Sequence, residues 1–287
     1  MHKFDNASEE SKGQIRSWKN ALPATMRRTG KLVVAVGLAG VIMTTSACSG
    51  TSEVNTPVSP SATAASEIKS SVAGTVVNGI PTKPELAFDG KNYYVQTTIA
   101  DDDPAMTYDR NITTDIARNL YTHEELADGQ VFATKFVAEE VLDSTLNDNP
   151  TDKGTIEKWF AKNKENIDPE QHQSFVTALN EPPNGENEFL IRGDYRAGAY
   201  QLASGADQLR VLSRTITPTA IRADTIDGKP YVEYEAKVRV AYNAKINGLN
   251  STETVDAKVQ TTLRKDPTSG KWVIAGANNV FTPTTAK

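Results

Sequence analysis

From Val232 to Ile246 the chain alternates, with Val232, Tyr234, Ala236, Val238, Val240, Tyr242, Ala244 and Ile246 on one parity and Glu233, Glu235, Lys237, Arg239, Asn243 and Lys245 on the other. A sustained period of two predicts a strand with one buried and one wet face. Asn247-Gly248 then supplies hairpin-turn chemistry, and Val255, Ala257, Val259, Thr261 and Leu263 repeat the alternation. Pro267 to Gly270 makes a further turn before Lys271 to Phe281, which carries Trp272, Ile274 and Val280. Upstream, Leu209 to Ile226 reads as a strand with Pro218 inside it, and Asp227-Gly228 turns it into the Tyr231 strand. A proline there removes one ladder donor, so a bulge or an edge is expected.

The middle of the chain has helical spacing. Thr122-His123-Glu124-Glu125 has capping-box form and predicts a helix running to about Leu146, with Phe132, Phe136, Val137 and Val141 toward a core and Asn149-Pro150 as its stop. A second helix is expected over Asp152 to Lys164, and a third from Asp168-Pro169-Glu170, with Asp168 as cap and Pro169 at the first helical position. Glu188 to Ala203 reads as a further helix weakened by Gly193 and Gly198. Asn92 to Ile99 is β-branched and aromatic enough for a strand, whereas Val72 to Ile80 is ambiguous, Pro81 and Pro84 interrupt, and folded sequence begins near Leu86. The fold class is therefore α+β, a single domain over 72–287 in which helices pack on one face of a curved, antiparallel four-stranded meander lying mainly within 209–281.

Ahead of this domain the order is basic, apolar, small, thiol. Met26-Arg27-Arg28 leads into the apolar stretch from Leu32 to Met43, then Thr44-Thr45-Ser46-Ala47 and Cys48. Cations hold the start on the cytoplasmic side, the apolar stretch enters the bilayer, and small residues fit a peptidase beside the thiol that takes lipid. Residues 26–47 resemble a bacterial lipoprotein signal, with Thr45-Ser46-Ala47-Cys48 as the lipobox cut by signal peptidase II. Thr45 departs from the aliphatic residue usual there. The resemblance implies covalent diacylglycerol and acyl modification at Cys48, and attachment to the extracytoplasmic face of the cell membrane. An uncleaved anchor is the other reading, but 12 apolar-run residues fall short of the roughly 20 that span a bilayer. Residues 1–25 are a polar extension expected to be disordered or non-native, with translation starting at either Met1 or Met26. Residues 48–71 are Ser, Thr, Ala and Pro, a disordered tether.

Composition narrows the function classes. One cysteine among 287 residues excludes an intrachain disulfide. Removing residues 1–47 takes away seven basic and three acidic residues, so the formal charge goes from −5 to −9, a poor match for nucleic acid. Only His2, His123 and His172 occur, which excludes a His/Cys zinc cluster. Asp101-Asp102-Asp103 with Asp109 offers oxygens for calcium but lacks the regular spacing of a calcium loop. No Gly-x-Ser-x-Gly elbow occurs, and Arg196 to Tyr200 lacks the setting of a phosphate loop. His123 and His172 fall on helix faces expected to be solvated. Glu233, Glu235, Lys237 and Arg239, opposite Asp256, Lys258 and Arg264, read as cross-strand charge pairs on the wet face.

Helices followed by a long meander that closes on Gly270-Lys271-Trp272-Val273-Ile274 resemble the nuclear-transport-factor-two-like superfamily, over Leu86 or Tyr121 to Phe281. That resemblance implies a cone-shaped α+β fold shared by enzymes and noncatalytic binding modules. In the enzymatic case, an isomerase or dehydratase, Asp194 with Tyr195, and Tyr234 and Tyr242 on the buried face, have the right chemistry. The expected function is a noncatalytic, lipid-anchored envelope protein without a cofactor, binding a partner protein or a small apolar ligand. A scaffold of a secretion or conjugation apparatus is the further alternative.

Overall fold

The computed structural model of the chain describes residues 76–77, 79–147, 152–180 and 200–284. All of them belong to one compact unit, Ser61–Lys287. The extension, the signal, Cys48 and the tether lie outside the described residues, as do Asp194, Tyr195 and Arg196.

Strands β1 (Val76–Val77), β2 (Ile80–Phe88) and β3 (Tyr93–Thr97) form a three-stranded antiparallel sheet. Strand β2 continues through Pro81 and Pro84, so the prolines do not interrupt it as expected. Its pairing with β3 slips between Thr82 and Leu86, and Pro84 sits in that gap, where no ladder donor is needed.

Helix α1 (Asp115–Leu120), capped by Thr114, was not legible in the pattern. Helix α2 (His123–Phe136) starts on the expected capping box: Thr122 N–H donates to Glu125 Oε2 at 2.9 Å and Glu125 N–H to Thr122 Oγ1 at 3.2 Å. It does not run regularly to Leu146. From Val137 to Leu142 it widens into a π-helical turn, followed by a short 3-10 turn over Thr145–Asn147. Asn147 Nδ2 donates to the Val141 and Leu142 carbonyls, both at 3.0 Å, closing the end. Helix α3 (Lys153–Asn163) takes Asp152 as its cap, and a 3-10 turn capped by Asp168 leads into α4 (His172–Asn180).

Strand β4 (Tyr200–Leu202) stands where the tail of a helix was expected, because it pairs with residues 244–246. Strands β5 (Val211–Ile226), β6 (Lys229–Ile246), β7 (Leu249–Lys265) and β8 (Trp272–Thr284) follow as an antiparallel meander, and β4 makes the sheet five-stranded. The Asp227-Gly228 and Asn247-Gly248 hairpins have φ of 52° and 76°, and of 52° and 80°, the doubly positive pair that matches the twist of the flanking strands. Pairing slips between Pro218 and Ala220, the bulge expected of that proline.

Helix α2 lies across the inner face of this sheet. Val232, Tyr234, Val238, Val240 and Tyr242 share one core with Leu126, Phe136, Val137, Leu142 and Trp159. Two phenols tie the layers: Tyr234 donates to the Leu126 carbonyl at 2.8 Å and Tyr242 to the Leu142 carbonyl at 2.7 Å. Gly129 makes the first approach feasible, since a Cβ there would stand 2.3 Å from the Tyr234 hydroxyl. A helix-interior glycine costs about 1 kcal/mol relative to alanine, so close contact outweighs propensity at this turn.

The N-terminal hairpin is joined to the body by a buried ion pair. Asp89 and Arg210 are both fully buried; Asp89 accepts from Arg210, and from the Lys91 and Asn92 amides at 2.8 and 2.7 Å. The guanidinium lies 3.6 Å from the Tyr94 ring centre and donates to the Ala203 carbonyl. Arg210→Met leaves Asp89 buried with its countercharge gone, and urea unfolding should register a loss of about 3–5 kcal/mol. Asp89→Asn in the same chain should recover a substantial part of it.

Candidate functional site

Leu126, Gln130, Ala133, Thr134 and Val137 recur at helical spacing on α2, so Gln130 and Thr134 face the sheet despite being polar. Both are buried. Between them and Ile216, Tyr234, Val259 and Thr261 lies a cavity of about 330 Å³, the open space at its mouth included. In all it has room for about one water-sized molecule. The half-buried residues of its wall, Pro218, Ala220 and Ala236, stand at or beside the β5 bulge and mark the mouth.

The polar atoms around this cavity divide sharply. Gln130 Nε2 donates to the Ala105 carbonyl at 2.9 Å and to the Thr107 carbonyl at 2.8 Å, which fixes the amide orientation and leaves Oε1 buried without a hydrogen-bond partner. Tyr234 is held by Leu126, and burial raises its phenol above the ordinary range. Glu235 turns its carboxylate to Lys258 at 2.7 Å, Arg222 at 2.9 Å and Gln260 at 3.1 Å. Burial pushes that carboxyl up, but these donors outweigh it and hold the group at about 2. A general base works best with a pKa near the operating pH, and Glu235 is far from it. Tyr234 and Tyr242 are thus brought to the inner face as expected but hold backbone carbonyls.

A second polar group lies under the N-terminal hairpin. Asp143 follows the π-helical turn and is 1 % exposed. Its Oδ2 accepts from the Thr97 amide at 2.6 Å and the Thr97 hydroxyl at 2.8 Å, while Oδ1 has no hydrogen-bond partner. Tyr94 donates to its carbonyl at 3.0 Å, and Gln96 bridges that carbonyl and the Glu139 carbonyl. Arg214 reaches the Thr97 hydroxyl, the Thr98 carbonyl and the Ala138 carbonyl. Burial pushes the Asp143 carboxyl up to about 6, against the Thr97 donors and the Arg210 and Arg214 charges, which pull it down. No motif announced this group; a polar residue directly after Val141-Leu142 in an apolar stripe was the available signal, as Gln130 and Thr134 were within α2.

The face expected to be wet is so only in part. Lys237, Arg239 and Lys258 are exposed, and Arg239 pairs with Asp256 across the strands at 2.9 Å. Glu233, Glu235 and Arg264 are buried. Arg222 ties the first two together at 2.8 and 2.9 Å, and Arg264 is drawn to Asp168 and Glu170 of the turn before α4 instead of a neighbouring strand. Long-range pairing of this kind leaves no trace in alternation. His172 is half-buried against Phe160, its Nε2 3.0 Å from the Lys164 and Ile167 carbonyls, a correction to the solvated face expected there; His123 is exposed.

Asp101 pairs with Lys135 at 2.8 Å, Asp103 caps the Ala105 amide and Asp109 the Asn111 amide, so these carboxylates do not converge. Among the described residues no group of three or more His, Cys, Asp or Glu could hold a metal ion, and no helix is long and apolar enough to cross a membrane. The chain matches no protein-family model, no curated protein and no solved structure.

Asp143 sets a pH dependence of known sign. Its folded value lies above the ordinary 3.8, so the native state takes up a proton that the unfolded state releases, and this group's contribution to stability rises as pH falls from 7 through 6 toward 4. The difference in unfolding free energy between wild type and Asp143→Asn should therefore change by roughly 2 kcal/mol in favour of wild type across that window. Urea titrations of both proteins at stepped pH measure it; parallel curves would remove the assignment.

Proposed function

We propose that the protein is a noncatalytic, lipid-anchored protein of the extracytoplasmic face of a bacterial cell membrane, whose α+β domain binds a partner protein or a small ligand. What carries the noncatalytic reading is that the acid–base groups of the inner face are committed: Tyr234 and Glu235 are held by structural partners. An enzyme of the isomerase kind needs the opposite, a base and an oxyanion donor left free to meet substrate.

The anchor rests on the run from Met26 to Cys48 and on the polar tether that follows it. Acyl chains at Cys48 supply membrane affinity of about 0.8 kcal/mol for each buried methylene, which two or more chains make lasting. An acidic domain adds no attraction to anionic lipid, so the lipid alone would hold it. A tether of about twenty residues has a mean reach of roughly 25 Å, close enough to keep the domain at the membrane without setting its orientation. Membership of the nuclear-transport-factor-two-like superfamily is part of the proposal, supported by helices that precede a bulged antiparallel meander and by a helix laid across its inner face.

Metabolic labelling with palmitate in a bacterial host tests the anchor. Wild type should take up label and Cys48→Ala should not; equal labelling of the two would remove the lipid from the account.

A further inference from the structure

Strands β1 to β3 form a sheet of their own, and β3 meets the loop before β5, where Gly205 N–H donates to the Tyr93 carbonyl at 2.7 Å and Val95 N–H to the Gln208 carbonyl at 3.0 Å. Tyr94, Val95, Gln96 and Thr97 are buried, yet of the described residues in these strands Ile80 alone belongs to the hydrophobic core that α2 shares with the meander. Polar groups hold the rest of the seam. Asp89 pairs with Arg210 and Lys83 with Glu139 at 2.6 Å, while Tyr94, Gln96 and Thr97 bond to Glu139 and Asp143. A unit with few apolar contacts opens at lower free energy than a core.

Asp143 is the acid of this seam that has no ion pair among the described residues. Both bonds to its carboxylate come from Thr97 and fall on Oδ2, and Oδ1 has no partner. On the β5 side Arg214 spends its guanidinium on the Thr97 hydroxyl and the Thr98 and Ala138 carbonyls, and Arg210 is drawn to Asp89. In the π-helical turn Glu139 and Glu140 are met by Lys83 and Lys162, and from the hairpin Tyr94 donates to the Asp143 carbonyl. A proton on Oδ1 leaves both Thr97 bonds in place, whereas the ionised group keeps an oxygen buried with no donor. Burial accordingly pushes this carboxyl up to about 6. Lifting the hairpin takes Thr97 away and admits water, which returns the carboxyl to its ordinary range.

We propose that the N-terminal hairpin is a latch that opens as a unit ahead of the rest of the domain, and that ionisation of Asp143 loosens it. Opening frees the chain of β1 to β3 from the body. With a lipid at Cys48, a consequence that rests on the anchor proposed above, it also lengthens the leash between membrane and body.

Native-state hydrogen exchange on the full-length chain, read by mass spectrometry at low urea and corrected for the intrinsic amide rate at each pH, measures the opening. Amides of β3 should exchange through an opening of lower free energy and smaller urea dependence than those of residues 236–242 in β6. The β3 opening constant should rise about tenfold from pH 5 to pH 7.5, the change expected when a carboxyl held near 6 returns to its ordinary value. Asp143→Asn should remove this pH dependence, and Thr97→Val, which takes one donor from the carboxylate, should move its midpoint above that of wild type. Equal free energy and urea dependence in β3 and β6, a flat β3 profile in wild type, or a pH dependence that Asp143→Asn retains would each overturn the proposal. None of these readouts needs Cys48, so loss of the anchor and loss of the latch are read separately.

Discussion

A helix can lie across the inner face of this sheet only if the backbone carbonyls it brings into the core find donors. Unpaired carbonyls in an apolar interior cost as much as a lost hydrogen bond, and α2 with its π-helical continuation brings several. The molecule meets them with side chains from other layers. Tyr234 and Tyr242 of β6 reach the carbonyls of Leu126 and Leu142, and Tyr94 and Gln96 of β3 reach those of Asp143 and Glu139. The hairpin and β6 are thereby fixed to the same stretch of chain, Glu139 to Asp143, while Tyr234 holds the start of α2.

That arrangement also sets the chemistry available. The phenols of Tyr234 and Tyr242 are occupied by backbone carbonyls, and burial raises Tyr234 above the ordinary phenol value. Carboxylates near them are either matched by cations, as Glu235 is, or placed under the hairpin, as Asp143 is, away from the cavity residues. At the cavity the Gln130 acceptor is closed off as well, and Thr134 and Thr261 stand among the aliphatic side chains of the wall.

Much of the sheet was readable because one physical rule, burial of alternate residues, acts over long stretches of it. Strand β6 follows it from Ala236 to Lys245 and β7 from Val255 to Val259, whereas residues 231–235 and 259–264 are buried on both parities; Asp227-Gly228, Asn247-Gly248 and Pro218 mark the turns and bulge by backbone chemistry that is local. The start of α2 was readable for the same reason, since a capping box is closed within four residues. The features that escaped are those decided by distant partners. Asp89 and Arg210 are 121 positions apart, and Arg264 turns to Asp168 across 96. Strand β2 passes two prolines because its pairing slips where Pro84 falls, and α2 widens where Tyr242, Gln96 and Asn147 take its carbonyls. At the site, Tyr234 and Tyr242 were placed on the right face by their parity. Gln130 was legible only as a polar residue in an apolar stripe, a signal that says a partner exists without saying which.

The central claim is that Tyr234 and Tyr242 hold the fold by donating to helix carbonyls in a buried core. Tyr94, Tyr121, Tyr231 and Tyr234 are each kept above the ordinary phenol value, in every case first by burial. Carbon-13 labelling of the tyrosine ring carbon that bears the hydroxyl, followed by NMR through an alkaline titration, reads each phenol directly. These four should stay protonated past the ordinary value of about 10 and ionise only as the protein unfolds. A Tyr234 that ionises below that value in the native protein would mark it as an activated group, and would contradict the account.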